Sequence, residues 1–188
     1  YNSWGITAGK EQYGTWKGWD RGYTHIDLVE PRKRTLNGTM LAWSPGTDGP
    51  VEGPVAMMPH FASQADFDKW LPTVEGKFIA ISFLEPTCRS PESWGALATQ
   101  QSLEKMGRLQ QSIREEWSEG LRNIGGINQA SRAIEEAGSL GVVTSRWSNG
   151  WGANKIFSTF TDEIPSIHLS CEDYGLIARL AKKQQGPI

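Results

Sequence analysis

Two stretches near the end of the chain decide the fold: residues 130–144 read ASRAIEEAGSLGVVT, and residues 164–181 read IPSIHLSCEDYGLIARLA. The first has small apolar residues at helical spacing and continues, after Gly138, with a β-branched run, so it predicts a helix followed by an inner strand. The second alternates polar and apolar residues after its proline and then takes helical spacing. Together they predict a helix, a strand, a loop, a second strand and a closing helix.

The closing helix is predicted to begin at a capping box. The Ser170 hydroxyl can accept a hydrogen bond from the amide three residues later, and the Asp173 carboxylate can reach back to complete the box. Tyr174 and Ile177 then lie on one apolar face. We expect this helix over residues 171–185.

The remaining elements follow from the same spacing rules. A nearly continuous apolar run predicts the central strand, and shorter alternating runs predict further strands. Apolar residues at steps of three and four predict helices. The predicted strands are residues 24–30, 39–43, 55–58, 78–84, 141–144 and 164–169, and the predicted helices are residues 63–71, 99–124, 129–137 and 171–185.

This order of elements predicts an α+β fold, with a β-rich core of two small sheets or an open barrel that is flanked by helices. Apolar residues of the inner strands are expected at the buried centre, and so are four tryptophans that lie on apolar stripes or strands. The expected core residues are Phe78, Ile79, Ile81, Phe83, Val142, Val143 and Ile167, and the four tryptophans are Trp4, Trp43, Trp70 and Trp117.

The composition is that of an ordinary globular domain: 188 residues, 38% of them hydrophobic, with a formal net charge of -2. Phosphate binding needs a basic face, so this charge argues against nucleic acid as a partner. No apolar run is long enough to span a bilayer. Both ends of the sequence are abrupt, and we expect it to be a fragment of a larger protein.

A family resemblance is carried by several of these motifs. Residues 66–82, DFDKWLPTVEGKFIAIS, resemble the core of the protease-associated (PA) domain, and the order of motifs in residues 130–186 resembles its usual ending. Residues 13–22 and 30–47 are similar, more narrowly, to the PA-bearing segment of bacterial zinc exopeptidases related to carboxypeptidase Q and the aminopeptidases.

The resemblance implies a single PA-like domain over residues 1–188, with a helical insertion at about 97–127, in a larger peptidase. The PA domain is a non-catalytic lid or docking module, so the resemblance implies no catalytic residue, metal ligand or cofactor in this chain. It implies zinc in the peptidase domain of the parent protein, and that domain of the same polypeptide as the partner. It also implies a peptide or protein substrate and a secreted or periplasmic location.

Two features leave alternatives open. The helix predicted at residues 99–124 is longer than a compact PA domain needs; we favour packing of its apolar stripe on the β core over contact with the peptidase body or a partner subunit. Cys88 lies in a proline-rich segment and Cys171 at a helix start. Two unrelated free thiols are favoured, and a disulfide is the alternative if the protein is exported.

Tryptophans in glycine-rich loops mark the candidate binding surface. The chain contains nine tryptophans, and some lie beside Asn or Arg in such loops. Rigid aromatic rings give a large contact area at small entropic cost, and loops on a rigid scaffold usually carry such groups. The alternative is that these loops fold onto the domain or are buried against the peptidase, and we favour burial at an inter-domain interface or cleft wall. The candidate substrate or interface residues are Arg146, Trp147, Asn149, Trp151, Trp16, Trp19 and Arg21.

Two other function classes remain possible. A metal-dependent hydrolase would use His25, Asp27, Glu135 and His168, because His-x-Asp and adjacent acids suit a two-zinc site. Against it, Glu135 is predicted on the polar face of a short helix rather than after an apolar strand. A carbohydrate-binding module that stacks sugars on its indoles is the other class.

Overall fold

The computed structural model describes residues 1–16, 18–153 and 155–183. This part of the chain forms seven strands and five α-helices. The strands are β1 Asp27–Leu28, β2 Arg34–Thr35, β3 Gly38–Met40, β4 Val55–Met57, β5 Phe78–Ala80, β6 Gly141–Thr144 and β7 Ser166–Leu169. The helices are α1 Gln64–Trp70, α2 Pro91–Leu97, α3 Gln100–Arg122, α4 Ile127–Glu136 and α5 Cys171–Lys183.

The strands form a five-stranded sheet in the order β3-β7-β6-β5-β4 and a separate two-stranded sheet of β1 and β2. Strands β4 to β7 are parallel, whereas the edge strand β3 is antiparallel to β7. Helices lie in the β4–β5 and β5–β6 connections, as crossovers between parallel strands usually require. The predicted α+β fold with two sheets is confirmed, and the larger sheet is open rather than closed into a barrel.

The predicted element bounds hold best where the sequence pattern is strongest. Strand β6 has the predicted bounds, while the other predicted strands are present but shorter. Strand β2 and helix α2 were not predicted. The start of α2 carries a recognisable signal, because the Ser90 hydroxyl accepts from the Ser93 N–H at 3.2 Å and Pro91 occupies the first turn. The last two positions of the helix predicted over 171–185 lie outside the described residues.

Side chains of the sheet alternate between two packed layers. On one face, Ile79 and Val142 are fully buried among residues of α1, α4 and the end of α3. On the other face, Ala80 and Val143 pack with Tyr174 of α5. The sheet is therefore covered on both faces, which is why its inner strands are apolar throughout.

The predicted core is confirmed in part. The tryptophans Trp70 and Trp117 are half-buried and pack against the core, but Trp4 and Trp43 are 76% and 56% exposed, so their placement in the core was wrong. Trp43 has a φ of 64°, which ends the strand alternation and turns its ring onto Trp19. Among the strand residues, Ile79, Ile81, Val142 and Val143 are buried, whereas Phe78, Phe83 and Ile167 are half-buried.

Of the capping box predicted at the start of α5, the Ser170 half is confirmed and the Asp173 half is wrong. The Ser170 hydroxyl does accept from the Asp173 N–H at 3.2 Å. The Asp173 carboxylate does not reach back, however, since its oxygens accept from Arg34 Nη2 and from the Asn37 N–H, each at 2.6 Å. Asp173 is buried, so a charge-assisted bond to a guanidinium is the stronger choice. This carboxylate therefore connects α5 to the β2–β3 segment.

The two cysteines form a disulfide, with the Cα atoms of Cys88 and Cys171 5.7 Å apart. The favoured prediction of two free thiols was wrong. The sulfurs meet because the segment after β5 returns to the start of α5 at the same edge of the sheet. Their 83-residue separation leaves no local sequence signal for the pairing.

Helix α3 packs on the core through its last turns. Leu121 is buried, and the Trp117 ring meets the Phe83 ring edge-on at 5.4 Å. Residues 100–119 of this helix contain no buried side chain, and Leu109 is exposed. Packing on the β core is thus confirmed for the end of the helix. Among the helices in the described part of the chain, none is long and apolar enough to cross a membrane.

Candidate functional site

The segment between β6 and β7, residues 145–165, leaves the carboxyl end of β6 and runs past the edge strand β3. The Ala42 N–H donates to the Ile156 carbonyl oxygen at 2.7 Å, and the Thr159 N–H donates to the Ala42 carbonyl oxygen at 3.2 Å. These bonds cover the end of β3, whose backbone groups would otherwise be open to pairing. The predicted binding loop therefore lies along one edge of the large sheet.

The N-terminal arm reaches the same edge through Arg21 and Trp19. Arg21 Nη1 donates to Thr39 Oγ1 at 3.0 Å and to the Met40 carbonyl oxygen at 2.5 Å. Trp19 donates its indole N–H to the Ser44 carbonyl oxygen at 3.1 Å, and its ring lies under the Arg21 guanidinium at 5.0 Å. The structure thus brings these two predicted site residues to the loop, where their polar groups anchor the arm.

Trp16 is placed differently from the other predicted residues of the arm. Its indole is exposed, and its ring contacts Tyr13 at a centroid distance of 5.8 Å. Both residues belong to the irregular segment that precedes Trp19. The described contacts do not join Trp16 to the loop between β6 and β7.

The four predicted loop residues lie at the surface in different ways. Trp147 is half-buried and donates its indole N–H to the Gly150 carbonyl oxygen at 2.8 Å, which closes the loop on itself. Asn149 is exposed at a φ of 67°, a left-handed conformation that asparagine tolerates. Trp151 is 74% exposed, and Arg146 is exposed as well.

Trp43, Lys155 and Phe157 complete this surface, and the sequence analysis gave them no role there. Lys155 Nζ lies 5.1 Å and the Arg146 guanidinium carbon 5.7 Å from the centre of the buried Phe160 ring. Phe157 is 61% exposed. Lys155 lies in the same loop of the sequence as Arg146, and this could have suggested a second cation of the surface. Nothing in the local sequence indicates that the Phe160 ring contacts both cations. We name as the loop surface Trp43, Arg146, Trp147, Trp151, Lys155 and Phe157.

His168 of β7 lies beneath the start of the loop. It is completely buried, and its Nε2 accepts from the Arg146 N–H at 2.8 Å. Burial lowers the pKa of His168 to about 4, and the positive charges of Lys155 and Arg146 act in the same direction. The imidazole is therefore neutral at physiological pH, and its bond to Arg146 fixes where the loop leaves the sheet.

The residues of the alternative metal site do not come together. His25 Nε2 lies 3.1 Å from Asp27 Oδ1 on the small sheet, and a hydrogen bond from Thr35 to Asp27 lowers the pKa of that carboxyl. Glu135 instead accepts from three successive backbone N–H groups of residues 162–164, at 2.6–3.1 Å through Oε1. In the part of the chain that the structure describes, no three His, Cys, Asp or Glu side chains form a group that could hold a metal ion.

The chain matches no protein-family model and no curated protein sequence. Among solved structures it is similar to a peptidase M28 precursor from Shewanella amazonensis SB2B, with 17% sequence identity and a TM-score of 0.46. The similarity covers 87% of this chain and 32% of the length of that protein.

Proposed function

We propose that this chain is a non-catalytic domain of an exported zinc exopeptidase, of the protease-associated type, and that it docks peptide substrate beside the peptidase domain. The zinc and the catalytic residues would belong to that domain of the same polypeptide. The order of the sequence motifs supports this proposal. The disulfide is consistent with export, because such bonds persist in oxidising compartments.

The observation that carries the proposal is the composition of the loop surface. Trp43, Trp151 and Phe157 expose large aromatic areas there, and Arg146 and Lys155 add two cations. Exposed aromatic rings are typical of interaction sites, and rings spread along one strand can cover apolar side chains of an extended peptide. The cations complement the negative groups that peptides carry.

The test measures peptide hydrolysis by the full-length parent protein. Trp151→Ala is expected to raise KM at least about fivefold with kcat unchanged, since truncating an aromatic anchor typically costs more than about 1 kcal/mol of binding. The zinc content is expected to stay at the wild-type level, because the substitution removes no metal ligand. Trp147→Ala should act in the same direction through loss of loop closure.

Trp4→Ala serves as the matched control, because this indole is equally exposed and contacts Tyr1 at the N-terminus. Unchanged KM in both loop variants, together with lower folding stability, would show that the loop indoles are structural. Tryptophan fluorescence of the chain titrated with chitotetraose and with an apolar pentapeptide distinguishes the classes. Saturation by the sugar alone would favour a carbohydrate-binding module.

A further inference from the structure

Two cations share one aromatic ring in the segment between β6 and β7. Arg146 and Lys155 both lie within 6 Å of the centre of the Phe160 ring, at 5.7 and 5.1 Å. The ring is buried, so the two cations are held at the boundary between the core and solvent. Arg146 follows the carboxyl end of β6, whereas the Phe160 N–H donates to the Oγ of Ser166, the first residue of β7, at 3.2 Å.

Neither cation has an anionic partner in the described part of the chain. Within residues 1–16, 18–153 and 155–183, no carboxylate forms an ion pair with Arg146 or Lys155. Partial burial lowers the pKa of Lys155, and the charge of Arg146 lowers it further. The two positive charges repel each other, and an anion bound beside both would offset that repulsion.

The buried His168 imidazole adds an unused donor. Since Nε2 accepts from the Arg146 N–H, the proton of the neutral ring is on Nδ1. This Nδ1–H has no hydrogen-bond partner among the described residues, although the side chain is completely buried. Buried donors without a partner are rare in native proteins, and an external acceptor is one explanation. The buried hydroxyl of Ser145, one residue before Arg146, also lacks a partner there.

We propose that Arg146, Lys155 and the Nδ1–H of His168 form a carboxylate-binding site, with the Ser145 hydroxyl as a further donor. Two cations and two neutral donors match an anion that has two acceptor oxygens. The ligand is a carboxylate of the docked peptide, so this assignment rests on the proposed function. That carboxylate comes from the peptide C-terminus or from an acidic side chain.

The experiment titrates the chain with three N-acetylated pentapeptides and follows tryptophan fluorescence. The first is Ala-Leu-Phe-Ala-Ala with a free C-terminus, the second is its C-terminal amide, and the third is the amide with Glu in place of the central Phe. At least one of the two carboxylate peptides is expected to bind at least tenfold more tightly than the uncharged amide. The first identifies a terminal carboxylate as the ligand, and the third identifies an acidic side chain.

The Arg146→Gln/Lys155→Gln double variant is expected to reduce this preference to less than twofold. Arg108→Gln is the control for net charge, because Arg108 is an exposed cation on α3, paired with Glu104; it should keep the preference. His168→Gln preserves an acceptor for the Arg146 N–H and reports on the buried donor separately. Circular dichroism of every variant verifies that the fold is retained.

Three outcomes would overturn the proposal. Equal affinity for all three peptides would refute the carboxylate site while leaving peptide docking in place. A preference that persists in the double variant would place the carboxylate elsewhere on the chain. Failure of all three peptides to bind would refute peptide docking together with the carboxylate site.

Discussion

Two segments leave the carboxyl ends of the neighbouring strands β5 and β6, and they are held in place by different contacts. After β5, the Ser82 N–H donates to the Tyr174 hydroxyl oxygen at 2.8 Å, and that hydroxyl donates to the Ser82 carbonyl oxygen at 2.5 Å. The same segment then joins α5 through the disulfide from Cys88. After β6, the Arg146 N–H is bound to His168, but the side chains that follow are mainly exposed.

This difference indicates that the two segments have different roles. In the segment after β5, the backbone N–H and carbonyl groups of Ser82 are hydrogen-bonded within the protein. Burial raises the pKa of Tyr174, so its hydroxyl stays protonated and donates to the Ser82 carbonyl oxygen. The segment after β6 leaves Arg146 and Lys155 without carboxylate partners in the described structure. Stability therefore resides in the first segment, and groups available for binding reside in the second.

The largest expected effect comes from the core residue beneath both segments. Ile81 follows β5, is buried, and donates its N–H to the Val143 carbonyl oxygen at 2.9 Å. Ile81→Ala should lower the free energy of unfolding by about 2–5 kcal/mol, because it leaves a cavity in a packed layer. Urea denaturation measures this loss. A value below about 1 kcal/mol, as for a tolerant surface site, would contradict the assigned position of the residue.

Removing the disulfide should weaken the segment after β5 selectively. Reduction of the Cys88–Cys171 bond is expected to lower stability by about 2–4 kcal/mol, since it releases a loop of 83 residues in the unfolded chain. Hydrogen exchange should accelerate in residues 82–90 more than in 145–157. The Cys88→Ser/Cys171→Ser variant should not respond to reductant. Equal acceleration of hydrogen exchange in both segments would contradict a selective role of the disulfide in the segment after β5.

Acid should lower the folding stability through His168, which lies beneath the start of the segment after β6. The pKa of His168 is lowered to about 4 from 6.5 in the unfolded chain, so between these values the unfolded state binds more protons. Stability should fall as the pH decreases from about 6.5 to about 4, by up to about 3 kcal/mol from this residue. His168→Gln should lack this part of the slope. Parallel curves for the two proteins would show that His168 does not cause it.

The smallest effect is expected at the exposed cation. Arg146→Ala should change stability by less than about 1 kcal/mol, because its side chain makes a surface contact with Phe160 alone among the described contacts. Arg21→Ala is the matched comparison and should cost about 1–3 kcal/mol through the hydrogen bonds it makes to Thr39 and Met40. Thermal unfolding measures both. An equal loss for the two variants would make Arg146 a structural anchor rather than a free binding group.

Local patterns in the sequence were sufficient for much of the fold. The run at 141–144 predicted β6 with its observed bounds, and the helix predicted over 63–71 corresponds to α1, where the Ser63 hydroxyl accepts from the Asp66 N–H at 3.3 Å. The apolar face of α5 was read from Tyr174 and Ile177, both of which are buried. These features depend on neighbours within one or two turns of chain, so spacing alone describes them.

The candidate site depended on contacts between distant parts of the chain. Arg146 and Trp151 could be selected from a glycine-rich loop, but His168 was considered only as a ligand of the alternative metal site, and no local pattern gave Phe160 a role. Glu135 was a candidate ligand of the same alternative site, whereas in the tertiary structure its carboxylate binds the backbone of residues 162–164.

By itself, the sequence determined four of the five helices in the described part of the chain and the inner strands, because hydrophobic spacing and capping act over a few residues. Only the tertiary structure decided that Cys88 meets Cys171, that Asp173 binds Arg34, and which cations share one ring. The physical reason is that each of these pairings joins residues that only the folded chain brings together, and no local pattern of residues encodes that meeting.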